Sequence, residues 1–199
     1  MDSAFFAVLS RMKTIRRWSL MRNTQPENIC EHSYDVAVLS HGLALLSNAR
    51  FGTSYDAEKC VMLALYHDAP EIFTGDLPTP VKYKTGQMEQ AYRCLEESAA
   101  EQLTEMLPPE LREEYRQLLM PDTDTPEYRL MKAADKLSAL IKCEEELMQG
   151  NREFYSARQA QEDALRALPI PVVGYFLETC LPAYRMTLDE QRRDGEESI

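Results

Sequence analysis

No run of this sequence approaches the roughly 18 apolar residues needed to cross a bilayer, and the N-terminus lacks a signal peptide's long apolar core. Export and membrane insertion are therefore not expected, and the cytoplasm is the default location. A basic excess is missing as well. Thirty-three acidic residues face 22 basic ones, for a formal net charge of -11. The summed field would repel polyanions, which argues against a general nucleic-acid or anionic-membrane surface. A small anionic substrate stays possible, because binding one depends on local cations and metal rather than on the total. The five cysteines, Cys30, Cys60, Cys94, Cys143 and Cys180, include no closely spaced pair. That disfavours a zinc knuckle, a redox motif and thiolate ligands, and they read as reduced cysteines of a cytosolic protein. Strand-like alternation, internal repeats and low-complexity tracts are also lacking.

What is present is helical. A chain of 199 residues can bury a core as one domain without staples. Apolar residues recur at helical spacing over Ala4 to Ile15. Asn28 and Glu31 form a capping-box signature, predicting a helix from Ile29 to about Ala49 with Val36, Leu39, Leu43 and Leu46 on one face. Asp56 can cap a helix from Ala57 to about Asp68. Its centre, Val61 to Leu65, is apolar on every side, as in a helix buried within a bundle. The proline-rich stretch from Ala69 to Pro80 reads as a restrained loop. Further helices are expected over Gln87 to Leu107, Pro109 to Leu119 and Pro126 to Met148, the last capped by Thr125 with Pro126 in its first turn. Glu153 to Leu168 reads as an exposed helix, Val172 to Tyr184 as a segment packed back on the body, and the last ten residues as frayed. The expectation is a compact, all-α bundle of six to eight elements. It forms a single domain over residues 1–199 with its core at about 28–150.

The chemistry-bearing residues fall inside this pattern. There are three histidines. His67 follows the apolar helix core and adjoins Asp68, a carboxylate at the negative end of a helix dipole that wants a positive partner. Asp135 lies at the edge of an apolar stripe and wants one too, whether a lysine, a cap or a metal. His32 sits one turn into its helix. Two imidazoles and two carboxylates from separate segments suit Mn, Fe, Co, Ni or Zn without choosing among them. Each residue also has an ordinary structural reading: a hydrogen-bonded histidine, a turn-forming Asp68, a salt-bridged Asp135. Spacing alone leaves both readings open. His41 has no acidic neighbour of comparable placement and reads as structural.

The ordered set of Glu31-His32-Ser33, Tyr66-His67-Asp68-Ala69-Pro70-Glu71, Thr74-Gly75-Asp76-Leu77-Pro78-Thr79-Pro80 and Lys132-Ala133-Ala134-Asp135-Lys136 resembles the HD-domain phosphohydrolases. Together with Arg16 to Arg22 it looks like the bacterial 5'-deoxynucleotidase group, and the likeness covers nearly the whole chain. The resemblance implies an HD-type helical bundle and a homodimer. It implies one divalent ion per subunit, Co, Mn or Cu, held by His32, His67, Asp68 and Asp135. It points to Glu71 and Asp76 as catalytic acids, and to Arg17, Trp18, Asp76, Pro78 and Thr79 at the substrate, a deoxyribonucleoside 5'-monophosphate. No nucleic-acid polymer or membrane partner is implied.

These residues suggest a mechanism. A phosphate monoester dianion needs an activated water and relief from charge repulsion, which a metal can supply. Arg17 suits the remaining phosphoryl oxygens, with Lys82 a weaker candidate. The departing 5'-oxygen needs a proton, for which Glu71 is favoured and Asp76 is an alternative or a helper. Trp18 against the sugar would leave a 2'-hydroxyl without a partner and so select deoxy substrates. The competing readings are an HD-type hydrolase of a triphosphate or guanosine polyphosphate, and a nucleotide-binding regulator without turnover.

Overall fold

A computed structural model describes residues 3–82 and 84–194, and among these there is no β-strand, only one isolated bridge between Arg16 and Asn28. Eleven α-helices follow in order: α1 Phe5–Leu9, α2 Ile29–Phe51, α3 Ala57–Tyr66, α4 Glu71–Thr74, α5 Thr79–Lys82, α6 Gly86–Glu105, α7 Arg112–Leu119, α8 Pro126–Met148, α9 Tyr155–Arg166, α10 Pro171–Thr179 and α11 Leu188–Asp194. The all-α expectation holds.

The two longest helices begin where local chemistry dictates. At α2 the Asn28 side chain accepts from the backbone N–H groups of Cys30 and Glu31. The Glu31 carboxylate in turn accepts from Asn28 N, closing the capping box. The helix runs past Ala49 to Phe51, and Gly52 ends it with φ +68°, a left-handed conformation that glycine adopts without strain. At α8 Thr125 accepts from Tyr128 N, and Pro126 takes the first position, where its missing N–H costs nothing. Helices α2, α3 and α8 pack on one another. Val36, Leu43, Leu63, Leu130, Leu137 and Leu140 are buried between them, and α10 closes this core with Val172, Val173 and Phe176. A second cluster, built on Phe5, Met12, Ile29, Leu103 and Leu119, joins the N-terminal segment to α6 and α7. Each such side chain contributes about 1.5–3 kcal/mol by leaving water.

Several expectations need correction. The N-terminal helix is not continuous to Ile15: after Leu9 it tightens into a 3₁₀ turn over Ser10–Thr14, and Ile15 is extended. Ile15 then accepts from Ile29 N through its carbonyl. Helix α3 is not buried all round, since Met62 and Leu65 are exposed; α2 and α8 cover only part of its surface. It also ends at Tyr66, short of Asp68. The segment from Ala69 to Pro80 is not all loop. Glu71–Thr74 forms a helical turn, and α5 begins at Thr79. The Val172 to Tyr184 segment breaks at Cys180 into α10 and a 3₁₀ turn over Leu181–Arg185. Of the ten terminal residues expected to fray, those up to Asp194 are helical, and 195–199 lie outside the described residues.

One buried ion pair anchors the stretch between α1 and α2. Glu146, 1% exposed, accepts from Thr24 N and Oγ1, Gln25 N, Asn151 Nδ2 and the Lys142 ammonium, which also donates to the Gln25 carbonyl at 2.6 Å. Burial pushes the Glu146 carboxyl up, but Lys142 and the Thr24 donors outweigh it and hold it at about 2. Its stabilising contribution is therefore complete above the ordinary value of 4.5 and is lost as pH falls from there towards about 2. Glu146→Ala strands the Lys142 ammonium and is expected to cost about 3 kcal/mol or more, roughly 6–12 °C in Tm for a chain of this length. A calorimetric loss below about 2 °C would mean that something else anchors the loop.

Candidate metal centre

Three helices deliver the cluster. His32 lies fully buried in the first turns of α2, His67 caps the C-terminus of α3, and Asp135 projects from the middle of α8. One ligand atom from each lies within 4.8 Å of the others. Asp68, in the turn after α3, adjoins them, with its Oδ1 3.1 Å from His67 Nε2 and its Oδ2 3.6 Å from His32 Nε2. All four sequence candidates thus converge, from segments up to 103 positions apart.

The donor set fits a cation. His67 Nδ1 is 2.7 Å from the Ala64 carbonyl, an acceptor, so the ring's N–H sits there and donates to it. Its Nε2 is buried without a hydrogen-bond partner, while oxygens of Asp68 and Asp135 lie 3.1 and 3.9 Å away. A nitrogen facing two carboxylates suits a cation bound between them, and without one the same facing favours a proton on the ring. Lys132 also brings positive charge to the cluster by donating to Asp135 Oδ2.

The charges around the cluster split its acids into two classes. Burial raises the carboxyls of Asp68 and Asp135, but His67 beside the first and Lys132 beside the second reverse this, and both end well below the usual range. Burial opposes charging of His67, yet Asp68 and Asp135 raise it overall. Glu71 behaves oppositely. It opens α4 at 7% exposure with Oε2 unpartnered, and burial, then Asp68 and Asp76, push its carboxyl well above the ordinary value. Asp76 is raised as well, by burial, with Arg17 working against the shift. One set of carboxylates is fitted to hold positive charge and a neighbouring carboxyl to hold a proton.

Arg17 and Trp18 reach the cluster from the segment before α2. Arg17 Nη1 donates to His32 Nδ1 at 2.9 Å and to Glu27 Oε2 at 3.1 Å, and Trp18 Nε1 donates to the same Glu27 oxygen at 2.8 Å. Trp18 has φ +59°, strained for a bulky side chain. It is held by Asn23 Nδ2 donating to its carbonyl and by Phe154, whose ring centroid is 5.2 Å away. The other substrate candidates stand further out. Thr79 is exposed at the start of α5, and the Pro78 carbonyl accepts from Val81 N and Lys82 N; no hydrogen bond among the described residues links either to the cluster. Lys82 is committed elsewhere, donating to Glu96 at 2.8 Å above the Tyr92 ring. His41 is exposed.

Sequence reasoning missed Glu27 and Ser138. Glu27 gathers Arg17 and Trp18 because the Arg17 N–H donates to the Glu27 carbonyl at 3.0 Å, closing the segment on itself. Ser138, one turn after Asp135 on α8, places its hydroxyl 3.1 Å from His32 Nδ1. A histidine facing a serine one turn past a ligand aspartate was the only signal for the latter, and loop closure left none for the former.

A model of the family described as "5'-deoxynucleotidase YfbR-like" matches residues 4–184. The chain belongs to that family. It is 46% identical over 189 residues to a 5'-deoxynucleotidase of Shewanella oneidensis, covering 94% of this chain and 97% of that protein. It is 45% identical over 195 residues to the 5'-deoxynucleotidase YfbR of Escherichia coli, covering 98% of both. Among solved structures, an HD-domain phosphohydrolase from Listeria innocua has the same fold with a TM-score of 0.80 at 24% identity, over 98% of each chain. In a chain of this family, His32, His67 and Asp135 form a three-residue cluster consistent with binding one divalent ion.

Asp135→Ala is expected to reduce bound divalent metal from about one ion per chain to near none after desalting, read by elemental analysis, because Asp135 supplies one of the three convergent atoms. Unchanged metal content would remove the cluster from consideration.

Proposed function

We propose that the chain hydrolyses deoxyribonucleoside 5'-monophosphates to deoxynucleoside and phosphate with one divalent ion, Co, Mn or Cu, held by His32, His67, Asp68 and Asp135. In this reading residues 1–199 form one domain that works as a homodimer in the cytoplasm on a small-molecule substrate. The observation that supports the reaction is the juxtaposition of the buried Glu71 carboxyl, pushed well above its ordinary value, with the Asp68 and Asp135 carboxyls, held well below theirs. Phosphoryl transfer to water needs that pairing: charge compensation at phosphorus and a proton for the leaving oxygen.

When bound, the ion supplies Lewis acidity to water and to the phosphoryl group. The protein's own side chains do the rest. Arg17 presents a planar fork of donors to the phosphoryl oxygens that remain. Glu71 gives its proton to the departing 5'-oxygen. Asp76, itself raised by burial, orients Glu71 and positions water, and the proline-restrained turn through Pro78 and Thr79 fixes where it stands. Trp18 packs against the deoxyribose, its indole N–H already satisfied by Glu27, so that a 2'-hydroxyl there would go unpaired.

A longer polyphosphate is a poorer fit. Lys82 is paired with Glu96, Lys132 with Asp135 and Arg17 with Glu27, so each of these cations already has a carboxylate partner before any additional negative charge is brought in. A regulator without turnover has no use for a buried Glu71 carboxyl raised well above its ordinary value. A deoxynucleoside monophosphate is therefore expected to release phosphate about 10-fold or more faster than its ribo or triphosphate counterparts. Equal rates for all three would overturn the monophosphatase assignment.

Glu71→Gln tests the proton donor. Turnover is expected to fall by about 10²-fold or more with metal content intact. The same change has a stability signature of known sign. A carboxyl raised in the folded state stabilises fully below its ordinary value of 4.5 and loses that contribution as pH rises through its folded value. The ion-free wild type should accordingly lose more Tm between pH 5 and pH 8 than Glu71→Gln does. Identical pH profiles with normal turnover would exclude Glu71 as the donor.

A further inference from the structure

A neutral imidazole has one N–H, and the two nitrogens of His32 face different demands. Nδ1 meets Arg17 Nη1 at 2.9 Å, Ser138 Oγ at 3.1 Å and Glu27 Oε1 at 3.7 Å, while Nε2 meets Asp135 Oδ1 at 3.0 Å. A guanidinium only donates. With Arg17 in place, Nδ1 must accept, and the N–H sits on Nε2 and points at Asp135. With Nδ1 accepting from Arg17, the ring carries a single N–H.

A ligand to a cation needs its lone pair free. If His32 offers Nε2, its N–H must move to Nδ1, where it would confront the Arg17 N–H at 2.9 Å. Ser138 Oγ is the acceptor available there, because a hydroxyl can turn to receive as well as to give. Arg17 loses one acceptor but keeps Glu27 Oε2, which Trp18 Nε1 shares. A cavity of about 760 Å³ lined by Glu27 and Ser138 among others gives this side of the site access to water, through which the ring proton can exchange.

We propose that Ser138 and Glu27 are positioning residues that couple the cation and phosphate halves of the site. Ser138 holds the His32 tautomer whose Nε2 can ligate, and Glu27 retains the Arg17 guanidinium that this tautomer releases, so that it turns to phosphate. The inference rests on the metal-dependent reading above. With a cation held at Nε2 the His32 N–H would stand on Nδ1 and Arg17 would be free for the anion; by linkage the anion would then tighten the cation.

The direct test is nitrogen NMR on protein labelled at its three histidines, with Zn2+ as a closed-shell probe. In the ion-free protein His32 is expected to show a protonated Nε2 and a bare Nδ1, and the reverse when zinc is bound. A protonated Nδ1 before zinc is added would overturn the proposal. Ser138→Ala should weaken Zn2+ binding about 10–100-fold in competition with a chelator, with the ion-free Tm within about 2 °C of wild type. Unchanged affinity would remove Ser138 from its role, and the wild-type spectrum still decides the tautomer if that variant does not fold. Glu27→Gln should raise KM for a deoxynucleoside monophosphate about tenfold while kcat stays within about threefold; a fall in kcat alone would contradict the role given to Glu27. Tautomer exchange without deoxynucleotide turnover would refute the proposed function and leave this coupling intact, whereas turnover without exchange would do the reverse.

Discussion

His67 commits its N–H to the Ala64 carbonyl at 2.7 Å, and the rest of the site follows from that hydrogen bond. It turns the buried Nε2 towards Asp68 and Asp135, an arrangement of one nitrogen and two carboxylates that suits a shared positive charge. The scaffold is built to maintain this geometry. Asn28 starts α2 so that His32 falls in its first turns, Asp56 caps the helix that ends at His67, and Thr125 with Pro126 sets the register that brings Asp135 inward. Behind them, the Val36, Leu63 and Leu137 core keeps the three helices in place.

The same charges divide the labour of the acids. Asp68 and Asp135 sit beside His67 and Lys132 and are held well below the usual range; Glu71, enclosed and one turn further along, is pushed well above it by burial, Asp68 and Asp76, which outweigh Arg17 and Lys82. No residue type distinguishes these roles. Environment does, through the balance between burial and the sign of the nearest charge. The Trp18 segment adds a third part, a strained backbone held by Glu27 and by the buried Glu146–Lys142 pair. Such strain persists only where the surroundings over-determine it.

Much of this was legible in the sequence because the signals were local. The capping box at Asn28 and Glu31, the caps at Asp56 and Thr125 and the proline at 126 located the helices that carry the ligands. The ordered spacing of His32, His67, Asp68 and Asp135 named the cluster through its resemblance to a family. What could not be read depends on contacts between distant segments. The burial that raises the Glu71 carboxyl comes from how α4 folds back, and the exposure of Met62 and Leu65 from which faces α2 and α8 leave uncovered. Glu27 has no motif; it matters because the chain closes from Ile15 to Ile29 through two backbone hydrogen bonds. The release of Lys82 from the site likewise depends on Glu96, a residue of α6 whose approach nothing in the loop announces.

The central claim is that a single cation occupies the point on which His32, His67 and Asp135 converge. An anomalous difference map from crystals grown with Mn2+ tests it most directly. The account predicts one strong peak per chain, about 2.0–2.3 Å from both Nε2 atoms and from an Asp135 oxygen. A map with its peak elsewhere, or with none at an otherwise ordered cluster, would contradict it.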